Sequence, residues 1–102
     1  MAESLKGKVA VISGVGSGFG KATAELFAAA DQVNLVLIDR NAAALKNTAD
    51  NCEASGSRVI ALECDVTQPE TFEAALDAAL TNFSKVDFLI NYLRRRRSGG
   101  AD

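Results

Sequence analysis

Residues 13–20, written SGVGSGFG, contain four of the chain's eight glycines and follow the apolar run VAVI at 9–12. The apolar run predicts a buried strand, and the glycines after it predict a tight turn into a helix. Glycine has no Cβ, so the backbone of such a turn can approach a ligand closely, and a helix N-terminus attracts anions. The stretch therefore indicates a phosphate-binding turn between a strand and a helix.

The spacing of the glycines narrows the kind of site. A strict G-x-G-x-x-G through Gly14 and Gly16 would need a third glycine at Phe19. The pattern that fits is G-x-x-x-G-x-G, through Gly14, Gly18 and Gly20. No Lys-Ser/Thr pair follows the glycines, which excludes the P-loop of a nucleoside triphosphatase. A glycine-rich turn without a ligand is the alternative that the loop alone leaves open.

Apolar runs alternate with amphipathic ones along the rest of the chain. They predict strands at 9–12, 35–38, 59–62 and 86–90, and helices at 18–30, 42–54 and from the segment 67–70 to about 83. Asn41 is expected to cap the second helix, and Gly56 to end it in a left-handed turn. Residues 67–70, TQPE, are interpreted as a capping box with Pro69 in the first turn. The order is β-α-β-α-β-α-β.

The strands are almost uniformly apolar, as expected of strands that are buried on both faces. We therefore predict one α/β domain, in which a parallel sheet is covered by helices on both sides. A chain of 102 residues is long enough for one such domain.

Charge and cysteine content exclude several function classes. Residues 1–91 carry seven basic and twelve acidic groups, which is not the charge of a nucleic-acid-binding surface. No apolar stretch resembles a membrane span or signal peptide, and two cysteines are too few for a disulfide framework, so we expect a cytoplasmic protein. Histidine is absent, so a metal site is not expected.

Two aspartates follow predicted strands at the same edge of the sheet as the glycines. Asp39 ends the second strand, nineteen residues after Gly20, where a carboxylate can accept hydrogen bonds from an adenosine ribose. Asp65 follows the third strand and can reach the adenine side of the same crevice. The alternatives are a turn or capping aspartate at 39 and a solvated strand end at 65. Three suitable groups at one edge favour a dinucleotide site.

At these positions the chain resembles the short-chain dehydrogenase/reductase (SDR) family, over residues 6–91. Segments 8–14 and 18–20 are similar to the family's cofactor-loop motif, and 39–41 to the end of its second strand. Residues 64–67, CDVT, are similar to the family's adenine-contacting segment, and 86–91 to the approach to its N-N-A-G motif.

The resemblance implies a three-layer α/β/α Rossmann-type sheet, represented by its first four strands, and hydride transfer between an alcohol and a carbonyl on a nicotinamide cofactor. It implies that the pyrophosphate and nearby ribose are contacted by residues of the loop, namely Gly14, Ser17, Gly18, Phe19 and Gly20. After the second strand, Asp39 and Arg40 would contact the adenosine ribose. After the third strand, Asp65 and Val66 would contact adenine, and after the fourth, Asn91 would lie beside the cofactor.

The charge at the end of the second strand favours NAD over NADP as the cofactor. The carboxylate of Asp39 would repel a 2′-phosphate, although Arg40 could soften that preference. Neither Val15 nor Ser17 supplies the basic group often used to bind NADP.

The chain departs from the family pattern at two places before its end. Gln32 stands where the family has a glycine between the first helix and the second strand, so we expect a strained or remodelled turn, at a cost of about 1 kcal/mol. Only Asn91 of N-N-A-G is kept, since Tyr92, Leu93 and Arg94 follow it, and larger side chains there would obstruct the cofactor.

The catalytic residues of the family are not found in these 102 residues. The family's serine follows its fifth strand, and its Tyr-x-x-x-Lys pair lies on the next helix. Tyr92 and Arg96 have that spacing, but they fall in the wrong element and arginine cannot replace lysine in the proton chemistry. We assign no catalytic residue and expect the isolated chain to be inactive, with a non-catalytic nucleotide-binding or interaction module as the alternative.

Residues 1–91 are interpreted as the NAD-binding half-domain, and 92–102 as a basic, glycine-rich tail. The tail carries four consecutive arginines, Arg94 to Arg97. A disordered, solvated tail, attraction to a nucleic acid or membrane, and an out-of-frame end of the reading frame are all open explanations. We also expect the fourth strand to expose an edge, which invites self-association.

Overall fold

The predicted order of strands and helices is confirmed in the computed structural model, which describes residues 5–65 and 68–91. The strands are β1 (Val9–Ser13), β2 (Asn34–Asp39), β3 (Val59–Glu63) and β4 (Phe88–Asn91), and the helices are α1 (Gly18–Asp31), α2 (Ala42–Ala54) and α3 (Pro69–Phe83). The predictions for Val66, for Thr67 and for the tail at 92–102 lie outside the described residues.

All four strands are parallel, and they form one sheet in the order β3-β2-β1-β4. The sheet grows from β1 through β2 to β3, and the chain then crosses to the other side of β1 to add β4. Val11 of β1 is in register with Val36 of β2 on one side and with Leu89 of β4 on the other. The strand order thus reverses at β1, where open α/β sheets bind ligands beyond the carboxyl ends of their strands.

Helices cover both faces of the sheet, which confirms the three-layer architecture. Helices α1 and α2 pack on one face, where Ile12 and Leu37 are fully buried. Helix α3 packs on the other, where Val11 and Ile38 are buried against its alanines. Alternate residues of a strand point to opposite faces, so a strand covered on both sides must be apolar throughout.

Complete burial of the strands holds for the two central strands and not for the outer ones. Every residue of β1 is buried, as are the middle four of β2, whereas β3 and β4 alternate between half-buried and exposed positions. The reason is their place in the sheet, because within residues 5–65 and 68–91 each outer strand pairs on one side only.

The turn at Gln32 has the left-handed conformation that glycine favours. Gln32 has φ 56° and ψ 44°, and its backbone N–H donates to the carbonyl of Ala28 across 3.2 Å. The Gln32 side chain lies against Gly56, so that a Cβ at Gly56 would be 2.6 Å from Gln32 Nε2. The turn is therefore retained, with a strained residue in it, rather than remodelled.

The predicted helix ends are confirmed in part. The side chain of Asn41 caps α2 by accepting from the Ala44 N–H at 3.0 Å, and Gly56, with φ 107°, follows the helix in a left-handed turn. Pro69 begins α3, but the residue before it, Gln68, makes no capping hydrogen bond with its side chain.

The fourth strand begins at Phe88, two residues later than the sequence pattern predicts. The Asp87 side chain accepts a hydrogen bond from the Val9 N–H at 2.8 Å, and the Asp87 N–H donates to the Val9 carbonyl at 2.8 Å. Asp87 therefore joins the start of β4 to the start of β1. None of the helices in the described part of the chain is both long and apolar enough to cross a membrane.

Candidate functional site

The glycine loop connects β1 to α1 at the carboxyl edge of the sheet. Gly14 and Gly18 have φ values of 74° and 62°, the left-handed region in which glycine is favoured. The Gly14 N–H donates to the Ile38 carbonyl at 2.9 Å. The side chain of Val15, the next residue in the loop, is fully buried. The loop is thus part of the core on its inner side, and its outer side carries the exposed residues Ser17 to Phe19.

Gly20 allows the first turn of α1 to pack directly on this loop. Its φ is not in the left-handed region, so backbone freedom does not explain the glycine. A Cβ at this position would overlap the carbonyl oxygen of Gly14 and lie 3.2 Å from the Cα of Val15. The absence of that methyl group brings the N-terminus of α1 to the loop.

Helix α2 anchors the loop from behind. The hydroxyl of Thr48, which is fully buried, donates to the carbonyl oxygen of Val15 at 2.9 Å. No local pattern in the sequence indicates this role for Thr48, because its partner Val15 lies 33 residues earlier in the chain.

Asp39 joins the end of β2 to the same loop. Its Oδ2 accepts from the Gly16 N–H at 2.8 Å, and its Oδ1 accepts from the Asn41 N–H at 2.8 Å. Each oxygen is therefore held by one backbone donor. The structure brings the predicted ribose-binding carboxylate into contact with the glycine loop through Gly16, which is not one of the three glycines of the G-x-x-x-G-x-G pattern.

Ser13 and Asn91 join the carboxyl ends of β1 and β4. The two residues are in register, and the Ser13 hydroxyl donates to the side-chain oxygen of Asn91. Ser13 is buried and Asn91 is exposed, so this contact places the Asn91 side chain at the point where the strand order reverses. Ser13 was not among the predicted site residues, although its position at the end of β1 could have indicated it.

The remaining predicted residues lie after the second and third strands. Arg40 is exposed next to Asp39, and Asp65 is half-buried two residues after β3. The Asp65 carbonyl accepts from the Gln68 N–H at 3.1 Å and from the Thr71 hydroxyl at 2.7 Å, which attaches the start of α3 to this edge. Val66 lies outside the described residues.

The outer side of the loop is open. A Cβ added to Gly18 would meet no atom within 4 Å, and the Ser17 side chain makes no capping hydrogen bond to α1. The Phe19 side chain is 80% exposed beside them. An anionic group can therefore reach the N-terminus of α1, where helix dipoles favour negative charge, and no acidic residue occupies its first turn.

The titratable groups with shifted pKa values lie away from this edge. Hydrogen bonds from Lys21 and Asn51 lower the pKa of Glu25, which joins α1 to α2. Burial raises the pKa of the Cys52 thiol to about 11. Within residues 5–65 and 68–91, no three His, Cys, Asp or Glu side chains cluster so as to hold a metal ion. The site therefore offers binding groups and no metal centre in its described part.

The comparison with protein families gives a match for most of the chain. The family model described as short chain dehydrogenase matches residues 8–92. Among curated proteins, the chain is 38% identical over 87 residues to the 7alpha-hydroxysteroid dehydrogenase of Escherichia coli strain K12. The alignment covers 85% of this chain and 34% of that relative, so the chain spans about a third of its length.

Solved structures show the same backbone arrangement. A short chain dehydrogenase/reductase from Burkholderia phymatum, solved in complex with NAD, is 44% identical with a TM-score of 0.79, over 86% of this chain and 31% of that one. The L-sorbose reductase from Gluconobacter frateurii, solved with NADPH and L-sorbose, is 35% identical with a TM-score of 0.84. It covers 93% of this chain and 36% of that one.

Proposed function

The chain belongs to the short chain dehydrogenase family, and we propose that it is the dinucleotide-binding part of an NAD-dependent oxidoreductase for an alcohol or a ketone. The observation that carries the proposal is the hydrogen bond between Asp39 and the Gly16 N–H. It joins an anion-attracting loop to a diol-binding carboxylate at the edge where the strand order reverses. A bound nicotinamide would accept or donate the hydride.

The residues of this chain hold the dinucleotide in that proposal. The backbone of the loop and the first turn of α1 surround the pyrophosphate, Asp39 and Arg40 face the adenosine ribose, and the segment after β3 faces adenine. The full set is Gly14, Ser17, Gly18, Phe19, Gly20, Asp39, Arg40, Asp65, Val66 and Asn91. The open space outside Gly18 and the unpaired side of the Asp39 carboxylate support these roles.

We propose NAD rather than NADP as the preferred dinucleotide. The Asp39 carboxylate is held by two backbone N–H groups. If it faces the adenosine ribose as proposed, its negative charge would repel the 2′-phosphate of NADP. Arg40 is exposed beside it and reduces, without cancelling, that repulsion. Solved relatives include one with NAD and one with NADPH, so the comparisons support a nicotinamide dinucleotide of either kind.

Binding without turnover is what we propose for these 102 residues assayed by themselves. They contain no Tyr-x-x-x-Lys pair, and the resemblance gives Asn91 a place beside the cofactor but no catalytic role. An assay of hydride transfer from secondary alcohols to NAD should therefore give no rate above the buffer.

Isothermal titration calorimetry with NAD tests the binding proposal. The chain should release heat with millimolar NAD, and Asp39→Asn should weaken binding about tenfold, because a charged acceptor of two hydroxyl groups is lost. Asp77→Asn, which removes an exposed carboxylate from α3, is the matched control and should bind as the wild type does. Absence of heat and of a thermal shift at millimolar NAD would refute the proposal.

A second role, as an interaction module, is favoured by the charge asymmetry of the chain. Residues 1–91 have a net charge of −5, whereas four arginines follow at 94–97. We propose that such a module would bind an acidic partner through these arginines. Replacement of all four by alanine should abolish capture of a polyglutamate peptide, and unchanged capture would exclude this role.

The fourth strand supports self-association. Within the described residues β4 pairs only with β1, and the Leu89 side chain is 53% exposed on the face covered elsewhere by α3. Unpaired strand edges are templates for pairing with another chain. Leu89→Lys should lower the sedimentation-derived mass at high concentration, whereas Leu26→Lys, at a 67% exposed position of α1 on the opposite side of the sheet, should not. Equal masses for both variants would count against pairing at β4.

A reducing compartment such as the cytoplasm is the proposed location. Both cysteines are free thiols in the structure, with Cys52 buried and Cys64 half-buried, which supports that choice. Detection of the native protein only in an oxidising compartment would refute it.

A further inference from the structure

Gly16 has a glycine-specific environment that its backbone conformation does not explain. Its φ lies outside the left-handed region, unlike those of Gly14 and Gly18 in the same loop. A Cβ at Gly16 would instead be 2.9 Å from Asp39 Oδ2, 3.0 Å from Asp39 Cγ and 3.1 Å from the Cβ of Ala44. A side chain at this position would therefore displace at least one of these two neighbours.

The two neighbours of Gly16 differ in how easily they move. Ala44 lies in the first turn of α2, and its N–H is bound by the capping side chain of Asn41 at 3.0 Å. Moving Ala44 would shift a capped helix, whereas Asp39 can rotate about its side-chain bonds. A methyl group at position 16 would thus displace the Asp39 carboxylate rather than the helix.

The present position of the carboxylate determines which of its electron pairs are available. A carboxylate offers about four acceptor sites. Gly16 N–H takes one on Oδ2 and Asn41 N–H takes one on Oδ1, both at 2.8 Å. The outer sites remain available for a pair of vicinal hydroxyl groups, and the fixed negative charge opposes a phosphate on one of them.

We propose that Gly16 is a specificity-determining residue, which selects a dinucleotide with an unmodified adenosine ribose by letting the Asp39 carboxylate lie against the loop. The proposal rests on the function proposed above. Gly16 acts through Asp39 and is therefore a positioning residue. A side chain at position 16 displaces the carboxylate, which removes acceptors from the ribose diol of NAD and removes repulsion from the 2′-phosphate of NADP.

Calorimetric titration of the full chain with NAD and with NADP tests the proposal. Gly16→Ala should weaken NAD binding about tenfold, because the displaced carboxylate no longer accepts from the ribose diol. The NAD-to-NADP affinity ratio should fall by at least as much, because the displacement also removes repulsion of the 2′-phosphate of NADP. Gly7→Ala is the control for an added methyl group, because it lies before β1, at the opposite end of that strand from the loop, and its Cβ would meet no atom within 4 Å. Its left-handed φ of 82° makes this variant less stable, but the NAD-to-NADP affinity ratio should stay that of the wild type. Equal weakening of both ligands by Gly16→Ala would overturn the proposal.

A double-mutant cycle tests the Gly16–Asp39 coupling without any ligand. Gly16→Ala should raise the unfolding equilibrium constant about tenfold in the wild type and less than about threefold in an Asp39→Ala background, where the displaced carboxylate is gone. Equal increases in both backgrounds would overturn the proposed coupling. If the wild type binds neither dinucleotide, the proposed function fails, and this cycle still decides whether Gly16 positions Asp39.

Discussion

The Thr48 hydroxyl donates a hydrogen bond to the Val15 carbonyl across 2.9 Å in the buried interior of the protein, and this contact joins α2 to the glycine loop. The two residues are 33 positions apart in the chain. The loop is therefore fixed on its inner side by α2 and by the Ile38 carbonyl at the end of β2, while its outer side stays open.

Removing the Thr48 hydroxyl should loosen the loop. Thr48→Val leaves the Val15 carbonyl buried without its donor, and we expect a loss of about 1–2 kcal/mol in the free energy of unfolding. Hydrogen exchange at the Gly14 and Gly16 amides should accelerate as well. Thr48→Ser removes a methyl group and keeps the hydroxyl, so it should retain the amide protection. Equal exchange rates in the two variants would show that the hydrogen bond does not hold the loop.

Gly20 and Gly18 should respond differently to alanine, although both lie at the start of α1. Gly18→Ala meets open space and carries only the cost of a left-handed φ, about 1 kcal/mol. Gly20→Ala overlaps the Gly14 carbonyl and must move backbone, so it should cost more than about 2 kcal/mol. Urea unfolding of the two variants measures the difference, and a Gly20→Ala protein as stable as Gly18→Ala would contradict the close packing seen here.

Acid should remove the stabilising contribution of the Asp87 charge. The backbone hydrogen bond from Val9 lowers the pKa of Asp87 below its ordinary value of 3.8, and Lys85 adds to that effect at 3.3 Å. A lowered folded-state pKa contributes stability above the unfolded value, and this contribution is lost as the pH falls through the folded value. Wild type should therefore exceed Asp87→Asn in stability at neutral pH.

The test is unfolding of both proteins by urea between pH 7 and pH 2. The difference between wild type and Asp87→Asn should narrow as the pH falls below about 4, because the carboxylate becomes neutral. Asp77→Asn, on the exposed side of α3, provides the control for a general effect of charge removal. A difference that stays constant over the whole range would rule out the charge as its source.

The two cysteines should differ in reactivity. Burial raises the pKa of Cys52 to about 11, so its thiolate is scarce and its sulfur inaccessible in the folded state, whereas Cys64 is half-buried. One thiol should react with iodoacetamide at pH 8 in the native protein and two in urea, and peptide mapping should locate the native label at Cys64. Native labelling of Cys52 would contradict its burial.

Alkali should destabilise the fold through Cys52. The ordinary thiol pKa of 9.0 applies to the unfolded chain, and the folded value is about 11. The contribution of Cys52 to the free energy of unfolding is therefore fully present below pH 9. It falls as the pH rises from there, because the thiol ionises first in the unfolded chain. A Cys52→Ala variant, compared with wild type between pH 8 and pH 10, should show less of this decline. Parallel declines would assign the effect to other groups.

The sequence pattern predicted the elements more accurately than their ends and contacts. Helix α2 has the predicted ends at 42 and 54, since Asn41 and Gly56 are local signals that act within one turn. The start of β4 was wrong by two residues, because the Asp87 side chain bonds to Val9, 78 residues earlier. Burial of β3 and β4 was overestimated for a related reason: an apolar run does not show whether its strand has one neighbour or two.

By itself, the sequence determined the alternation of strands and helices, the glycine turn after β1 and the aspartates at the ends of two strands. These follow from periodicity and from residues with strong local preferences, which act over a few positions. Only the tertiary structure decided that Asp39 lies on Gly16, 23 residues away, and that Ser13 meets Asn91, 78 residues away. The physical reason is strand register: parallel pairing around β1 brings these strand ends to one edge, and no local pattern in the chain encodes which residues then face each other.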